Sequence, residues 1–329
     1  MQKKDLRTAA GALAATGALL LTAACSGGGG SQAGPAKPAP VPVATTAPSP
    51  GSGSSAGPYA ALGDSYTSGP RIPTQAGTPL GCDRSDRNYP SLVAKALGLT
   101  GRDFRDVSCS GATTANLAAP QSTSDGVNPP QLAALSTRTR LVTLSIGGND
   151  VGFVALLSRC VQAGVLRSLG LDRSAAPSGD APCKDFYTAS GHDELGQRVQ
   201  TAGRRLAAGL AEVRQRAPLA RVFVVGYPAL VPESGAACPS QLGLAAGDVA
   251  FLHDEEQRLN TELRQRAEAA GARYVDTWTP SLGHDACTAE AVRWIEPLSP
   301  AAPAAPAHPN ERGERGMADA VLRAVRGPF

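Results

Sequence analysis

The sequence predicts an α/β domain built on a central, mostly parallel sheet with helices on both faces, and three observations carry that prediction. From Pro58 onward, short apolar runs alternate with longer stretches whose apolar residues recur at helical spacing, the order that lays strands parallel and returns the chain over the sheet as helices. Several of the apolar runs end in clusters of small and polar residues, as expected where strands deliver chemistry at their carboxyl ends. Hydrophobic residues make up 42% of the 329-residue chain but aromatics only 4%, so a sizeable core of Ala, Val and Leu can be buried.

The elements follow in order. Residues 1–24 read as an export signal: MQKKDLR supplies a basic start, and the uncharged run Thr8 to Ala24 is too short for a comfortable membrane span. The run ends in LLTAAC, which resembles the bacterial lipoprotein box and makes Cys25 the expected lipidation site, although Thr22 stands where the box prefers Leu. Ordinary cleavage near the same point, releasing a secreted protein, is the alternative. Residues 25–57 then form a tether of Gly, Ser, Pro, Ala and Thr with Lys37 as its only charge, a composition that cannot bury enough apolar area to fold.

Residues 58–329 are the folded domain. Strands are expected at Tyr59 to Leu62, Phe104 to Ser108, Leu141 to Ile146, Arg221 to Pro228 and Ala272 to Trp278. Helices are expected at Asn88 to Leu97, Gln197 to Arg216, Val249 to Ala270 and Arg312 to Val325, each with Leu, Val or Met repeating along one face. Leu156 to Leu195 breaks the alternation and reads as a surface excursion near the mouth of a site.

Six cysteines remain beyond Cys25, an even number suited to an oxidising compartment. Six allow fifteen pairings, and neighbour pairing is favoured because each bridge closes one excursion between core elements: Cys82 with Cys109, Cys160 with Cys183, Cys238 with Cys287. The formal charge of +3 falls to about +1 without Lys3, Lys4, Arg7 and Asp5. With no basic stripe left, a nucleic-acid partner is excluded, and the domain is expected to act as a monomer.

Chemistry gathers at the strand ends. Ser65 lies in a tight turn after the first strand, Gly111 in the turn after the second, Asn149 after the third, and His308 just before the last helix. A serine hydroxyl is a nucleophile when an imidazole takes its proton, and the Ser65 and Gly111 N–H groups with the Asn149 side-chain amide could supply three donors to one oxyanion. Each residue also has a plainer reading: Ser65 as a helix cap, Gly111 as a turn former. Asp64 and Asp150 are expected to fix turns. His192 and His253, the latter placed on an exposed helix face, are expected bystanders, and His284 beside Asp285 is the rival base. Tyr66, Arg71 and Trp294 are candidates for the acyl pocket.

GDSY at 63–66, SGATT at 110–114, GGND at 147–150 and HPN at 308–310, in this order, resemble blocks I, II, III and V of the SGNH (GDSL) hydrolases. The phrases CDRSDRNYPSLVAKALG, DVSCSGATT, GHDAC and RWIEP resemble further a secreted actinobacterial subgroup of esterases and lipases with three disulfides. The resemblance implies a flavodoxin-like three-layer αβα sandwich, no cofactor, and hydrolysis of carboxylic esters through an acyl-enzyme. It also implies Ser65 as nucleophile, Gly111 and Asn149 as oxyanion donors, and His308 as base. The family commonly places an Asp three residues before the His, where this chain has Ala305. In the subgroup a backbone carbonyl takes that role, so the expectation is a Ser65–His308 dyad oriented by the carbonyl of Ala305 or Pro306, with Glu296 as the rival third member. The substrate is expected to be a small-molecule or lipid ester, with the membrane reached through the anchor. The alternatives are a carbohydrate acetylesterase within the same chemistry and a non-catalytic surface-binding lipoprotein.

Overall fold

The computed structural model describes residues 57–171, 180–234, 238 and 242–328. The expected signal segment, Cys25 and the tether up to residue 56 lie outside the described residues. Five parallel strands form the central sheet: β1 (Tyr59–Gly63), β2 (Phe104–Asp106), β3 (Leu141–Ser145), β4 (Arg221–Val225) and β5 (Arg273–Val275). Their spatial order is β2-β1-β3-β4-β5, with every neighbouring pair parallel. The order reverses between β1 and β3, and the crevice beyond the carboxyl ends there is where such sheets place their sites.

Among the described residues, eight helices accompany the sheet: α1 (Ser65–Ser68), α2 (Tyr89–Ala96), α3 (Gly148–Val151), α4 (Phe153–Ser168), α5 (Pro182–Thr188), α6 (Glu194–Arg216), α7 (Ala246–Ala269) and α8 (Glu311–Arg326). Local chemistry starts several of them. Asn88, Asp193 and Asn310 accept backbone N–H groups of the first turns of α2, α6 and α8, which satisfies donors that have no partner inside the helix.

Because strand residues alternate in direction, the sheet splits the core in two. Ala60, Leu62, Val142 and Leu144 pack with Val199, Leu206 and Leu210 of α6 and Leu259 and Leu263 of α7. Tyr59, Ala61, Leu141 and Phe223 pack on the opposite face with Val93 of α2 and Met317 and Val321 of α8. The result is a three-layer αβα sandwich. Each fully buried leucine contributes about 2 kcal/mol by leaving water.

Four strands are shorter than their apolar runs suggest, β3 by a single residue. After β2 the ladder continues irregularly, Val107 N–H donating to the Ala61 carbonyl and Cys109 N–H to that of Gly63. After β4, Asn260 of α7 takes both backbone groups of Tyr227, its Oδ1 accepting the N–H at 2.8 Å and its Nδ2 donating to the carbonyl at 2.9 Å. Two expectations are corrected. The 156–195 excursion is not a mere surface loop: it contains α4 and α5, and Leu156, Leu157 and Cys160 are buried in a third apolar cluster with Leu230 and Leu252. His253 is buried, not exposed, its ring edge-on to Trp278 and its Nε2 3.1 Å from Gln257. Cys82–Cys109, Cys160–Cys183 and Cys238–Cys287 are disulfide-bonded, the neighbour pairing. No helix among the described residues is long and apolar enough to cross a membrane.

Candidate active site

The site is assembled where β1 and β3 end. Gly63 closes β1 with φ +155°, and a Cβ there would meet Thr67 Oγ1 at 2.1 Å and the Ser145 carbonyl at 2.6 Å, so only glycine fits the turn. The Gln131 side chain grips this glycine from both sides, accepting its N–H at 2.8 Å and donating to its carbonyl at 2.9 Å. Asp64 then caps α1, Oδ1 accepting Tyr66 N–H at 3.0 Å. Its Oδ2 accepts the Tyr227 hydroxyl at 2.5 Å, and that hydroxyl accepts Gly148 N–H at 2.9 Å. One phenol thus ties the turn after β1 to the turn after β3. Burial pushes the Asp64 carboxyl up to about 7, against the hydrogen bond from Tyr227 that favours its charge.

Ser65 follows as the first residue of α1, 7% exposed, and its backbone N–H has no protein acceptor among the described residues. Its Oγ lies 2.8 Å from His308 Nε2 across 243 positions of sequence. His308 Nδ1 is 2.7 Å from the Pro306 carbonyl. A carbonyl can only accept, so Nδ1 carries the proton and Nε2 is left to accept the Ser65 hydroxyl. Of the two carbonyls expected to orient the imidazole, Pro306 is the one that touches it; Ala305 accepts the His308 backbone N–H instead.

The histidine loop is held from several sides. Ala307 adopts the left-handed region, φ 59°, which folds the Pro306 carbonyl back onto the ring that follows. Tyr66 Oη donates to the Ala307 carbonyl at 2.7 Å, and Ala305 N–H donates to Pro70. Glu296 pairs with the loop through its backbone, accepting Ala307 N–H and donating to the His308 carbonyl, both at 3.0 Å. Its carboxylate, fully buried, does not approach the imidazole. It accepts Asn310 Nδ2 at 2.7 Å and Ala301 N–H at 2.9 Å and pairs with Arg293. Burial alone would raise this carboxyl, but those hydrogen bonds hold it below its ordinary value. Glu296 as third member is therefore not what the geometry offers. Loss of hydration lowers the His308 pKa below 6.5, with the Pro306 carbonyl opposing and the Arg71 charge assisting.

Asn149 lines the same cavity as Ser65 and His308. One of its amide hydrogens goes to the Ala112 carbonyl at 2.9 Å, which leaves the second for the cavity. Gly111, φ 77°, precedes Ala112 and is not part of the cavity wall. Its N–H has no protein acceptor among the described residues, and its turn is stapled by Cys82–Cys109. Asp150 accepts Thr114 N–H at 2.8 Å and its hydroxyl at 2.5 Å, fastening the same loop as expected of a structural carboxylate. His284 stacks on Trp294 and contacts the Val292 carbonyl, away from Ser65. Tyr66 lines the cavity; Arg71 and Trp294 do not.

The cavity beside Ser65 holds about 230 Å³ and is walled largely by Phe153, Val154, Leu157, Leu230, Leu259 and Leu298. Sequence reasoning missed Tyr227, which it read only as part of the apolar run Arg221 to Pro228 and which lies two residues past the strand's end at Val225, and it missed α4, which contributes three of these apolar side chains.

Comparison with known proteins agrees with this geometry. Residues 61–315 match the sequence model of the GDSL-like lipase/acylhydrolase family. Lipase 2 of Streptomyces coelicolor is 43% identical over 242 residues, covering 73% of this chain and 76% of that protein. An esterase of Streptomyces scabiei is 32% identical over 251 residues, 70% of this chain and 72% of its own. The crystal structure of phospholipase A1 from Streptomyces albidoflavus NA297 superposes with a TM-score of 0.65 at 27% identity, covering 83% of this chain and all of that one. An extracellular lipase from Streptomyces rimosus gives 0.64 at 26% identity, covering 81% and 98%.

Proposed function

Since the chain belongs to the GDSL-like lipase/acylhydrolase family and is a carboxylic ester hydrolase, we propose that it works by a Ser65–His308 dyad through an acyl-enzyme, on acyl chains longer than acetate. The observation that carries this reading is the 2.8 Å approach of His308 Nε2 to Ser65 Oγ, with Nδ1 held at 2.7 Å by the Pro306 carbonyl.

Ser65 Oγ attacks the ester carbonyl as His308 Nε2 takes its proton, which requires a neutral imidazole; the lowered His308 pKa supplies one at neutral pH. Charge develops on the former carbonyl oxygen, for which the N–H groups of Ser65 and Gly111 and the second Asn149 amide hydrogen are the proposed donors. His308 then protonates the departing alkoxide. Water, activated by the same imidazole, releases the acid and restores Ser65. The Pro306 carbonyl fixes the tautomer through both steps, although it offers the transient imidazolium less stabilisation than a carboxylate would.

The apolar wall of the cavity supports a chain of several carbons as the acyl group, in keeping with relatives described as a lipase and a phospholipase A1. Three disulfides suit a protein that works outside the reducing cytoplasm. Residues 1–24 as export signal and Cys25 as lipid anchor complete the reading. Purified protein should hydrolyse p-nitrophenyl butyrate faster than the acetate, and Ser65→Ala should abolish turnover of both. Activity surviving that substitution would refute the dyad. Cys25→Ser should move the protein from the membrane into the medium, and an unchanged distribution would refute the anchor.

A further inference from the structure

Besides Asp64, whose two oxygens serve Tyr66 and Tyr227, the cavity wall carries a second carboxyl, that of Glu256 on α7. Its position is costly. The residue is 4% exposed, its wall neighbours include Leu157, Leu230 and Leu259, and no cation pairs with it among the described residues. Oε2 accepts Leu230 N–H at 2.9 Å. The other oxygen has no protein partner among the described residues and belongs to a group that faces the cavity. Burial, opposed by the hydrogen bond from Leu230 N–H and assisted by the nearby Asp285 charge, holds this carboxyl well above the ordinary glutamate range, which favours its protonated form. Capping Leu230 accounts for one of the two carboxyl oxygens, and the other is left at the wall of the cavity.

We propose that Glu256 determines which acyl chain is preferred: its free oxygen is a hydrogen-bonding point for an oxygen atom carried along the chain, a hydroxyl or keto group, so that esters of oxygenated acids are favoured over plain alkanoates. This rests on the cavity being the acyl pocket of the Ser65 reaction. A chain oxygen would meet this carboxyl at a largely apolar wall, where a polar group that recognises a polar substrate group discriminates most strongly.

The test compares kcat/KM for p-nitrophenyl octanoate with its mono-hydroxylated counterparts, the hydroxyl moved stepwise along the chain. In the unaltered protein one position should exceed the plain ester by about fivefold to tenfold. Glu256→Leu should cancel or reverse that ratio. Glu256→Gln, whose carbonyl can serve Leu230 while its amide donates to the substrate, should keep it. Thermal unfolding checks that each variant folds, and Glu256→Met replaces Glu256→Leu if the latter does not. No hydroxyl position being favoured by the unaltered protein, or a preference persisting in a folded apolar variant, would overturn the proposal. Ser65→Ala is run beside them. Hydrolysis that depends on Ser65 but ignores the hydroxyl overturns the role of Glu256 alone, whereas hydrolysis independent of Ser65 overturns the reading beneath it.

Discussion

Tyr227 and Asp64 stand 163 positions apart in sequence and share a 2.5 Å hydrogen bond, while the same phenol accepts Gly148 N–H. Tyr227→Phe removes both bonds without changing the ring. It leaves the half-buried Gly148 amide without its partner and Asp64 with one donor fewer, and should cost about 1–3 kcal/mol of stability. Because the bonds fix the turns bearing Ser65 and Asn149, kcat should fall further than KM rises. Urea unfolding and steady-state kinetics measure the two effects separately.

The same carboxyl makes stability pH-dependent. Its folded pKa of about 7 lies above its ordinary 3.8, so the folded protein binds the proton that the unfolded chain has released. The stabilisation is therefore full below about pH 4 and is lost as pH rises through 7. Relative to Asp64→Asn, the unaltered protein should lose stability over that window and show a constant difference above it, as read from unfolding free energies at a series of pH values.

Asn149→Ala removes the side-chain donor and its bond to the Ala112 carbonyl. A lost oxyanion donor should lower kcat about 100-fold to 1,000-fold with little change in KM. An unaffected kcat would assign the residue a purely local role.

The acid limb of kcat/KM should lie below pH 6.5, since burial lowers the His308 pKa and only the neutral ring accepts the Ser65 proton. Activity rises with pH through that value and is flat above it. Glu296→Gln should leave the limb in place, because the carboxylate does not touch the imidazole. It should still cost about 3–5 kcal/mol by stranding the buried Arg293 charge. A shifted limb in that variant would make Glu296 a partner of the histidine.

The Cys82–Cys109 bridge spans a sequence separation of 27 and staples the Gly111 turn. Replacing both cysteines with serine should cost roughly 3.5 kcal/mol in the chain-entropy picture. It should also lower kcat more than the same replacement at Cys160 and Cys183, a comparison made by thermal melts and turnover on one substrate.

Much of this architecture was legible before folding. Apolar alternation placed all five strands of the central sheet and four of the helices packed on it, α2, α6, α7 and α8, because burial on one face or two leaves a periodic trace. Ser65, Asn149 and His308 stood out because a hydroxyl, an amide and an imidazole at strand ends are chemically unusual there. What escaped notice leaves no such trace. α4 and α5 were hidden in a stretch with mixed patterning, since α4 divides its apolar residues between the cluster and the cavity. His253 was misplaced because its burial comes from packing against Trp278, on another segment of chain.

By itself the amino-acid order determined the layers, the strand order's raw material and the candidates for the reactive side chains, all of which follow from local pattern and side-chain chemistry. Only the tertiary structure decided that Pro306 rather than Glu296 faces the imidazole, that Tyr227 bridges Asp64 and Gly148, and that Glu256 lines the cavity beside Ser65. The reason is physical: a backbone carbonyl is present at every position, and a carboxyl or phenol reads alike whether it is solvated or buried. Their roles are set by distance and by the loss of water around them, and both arise only when segments far apart in the chain meet.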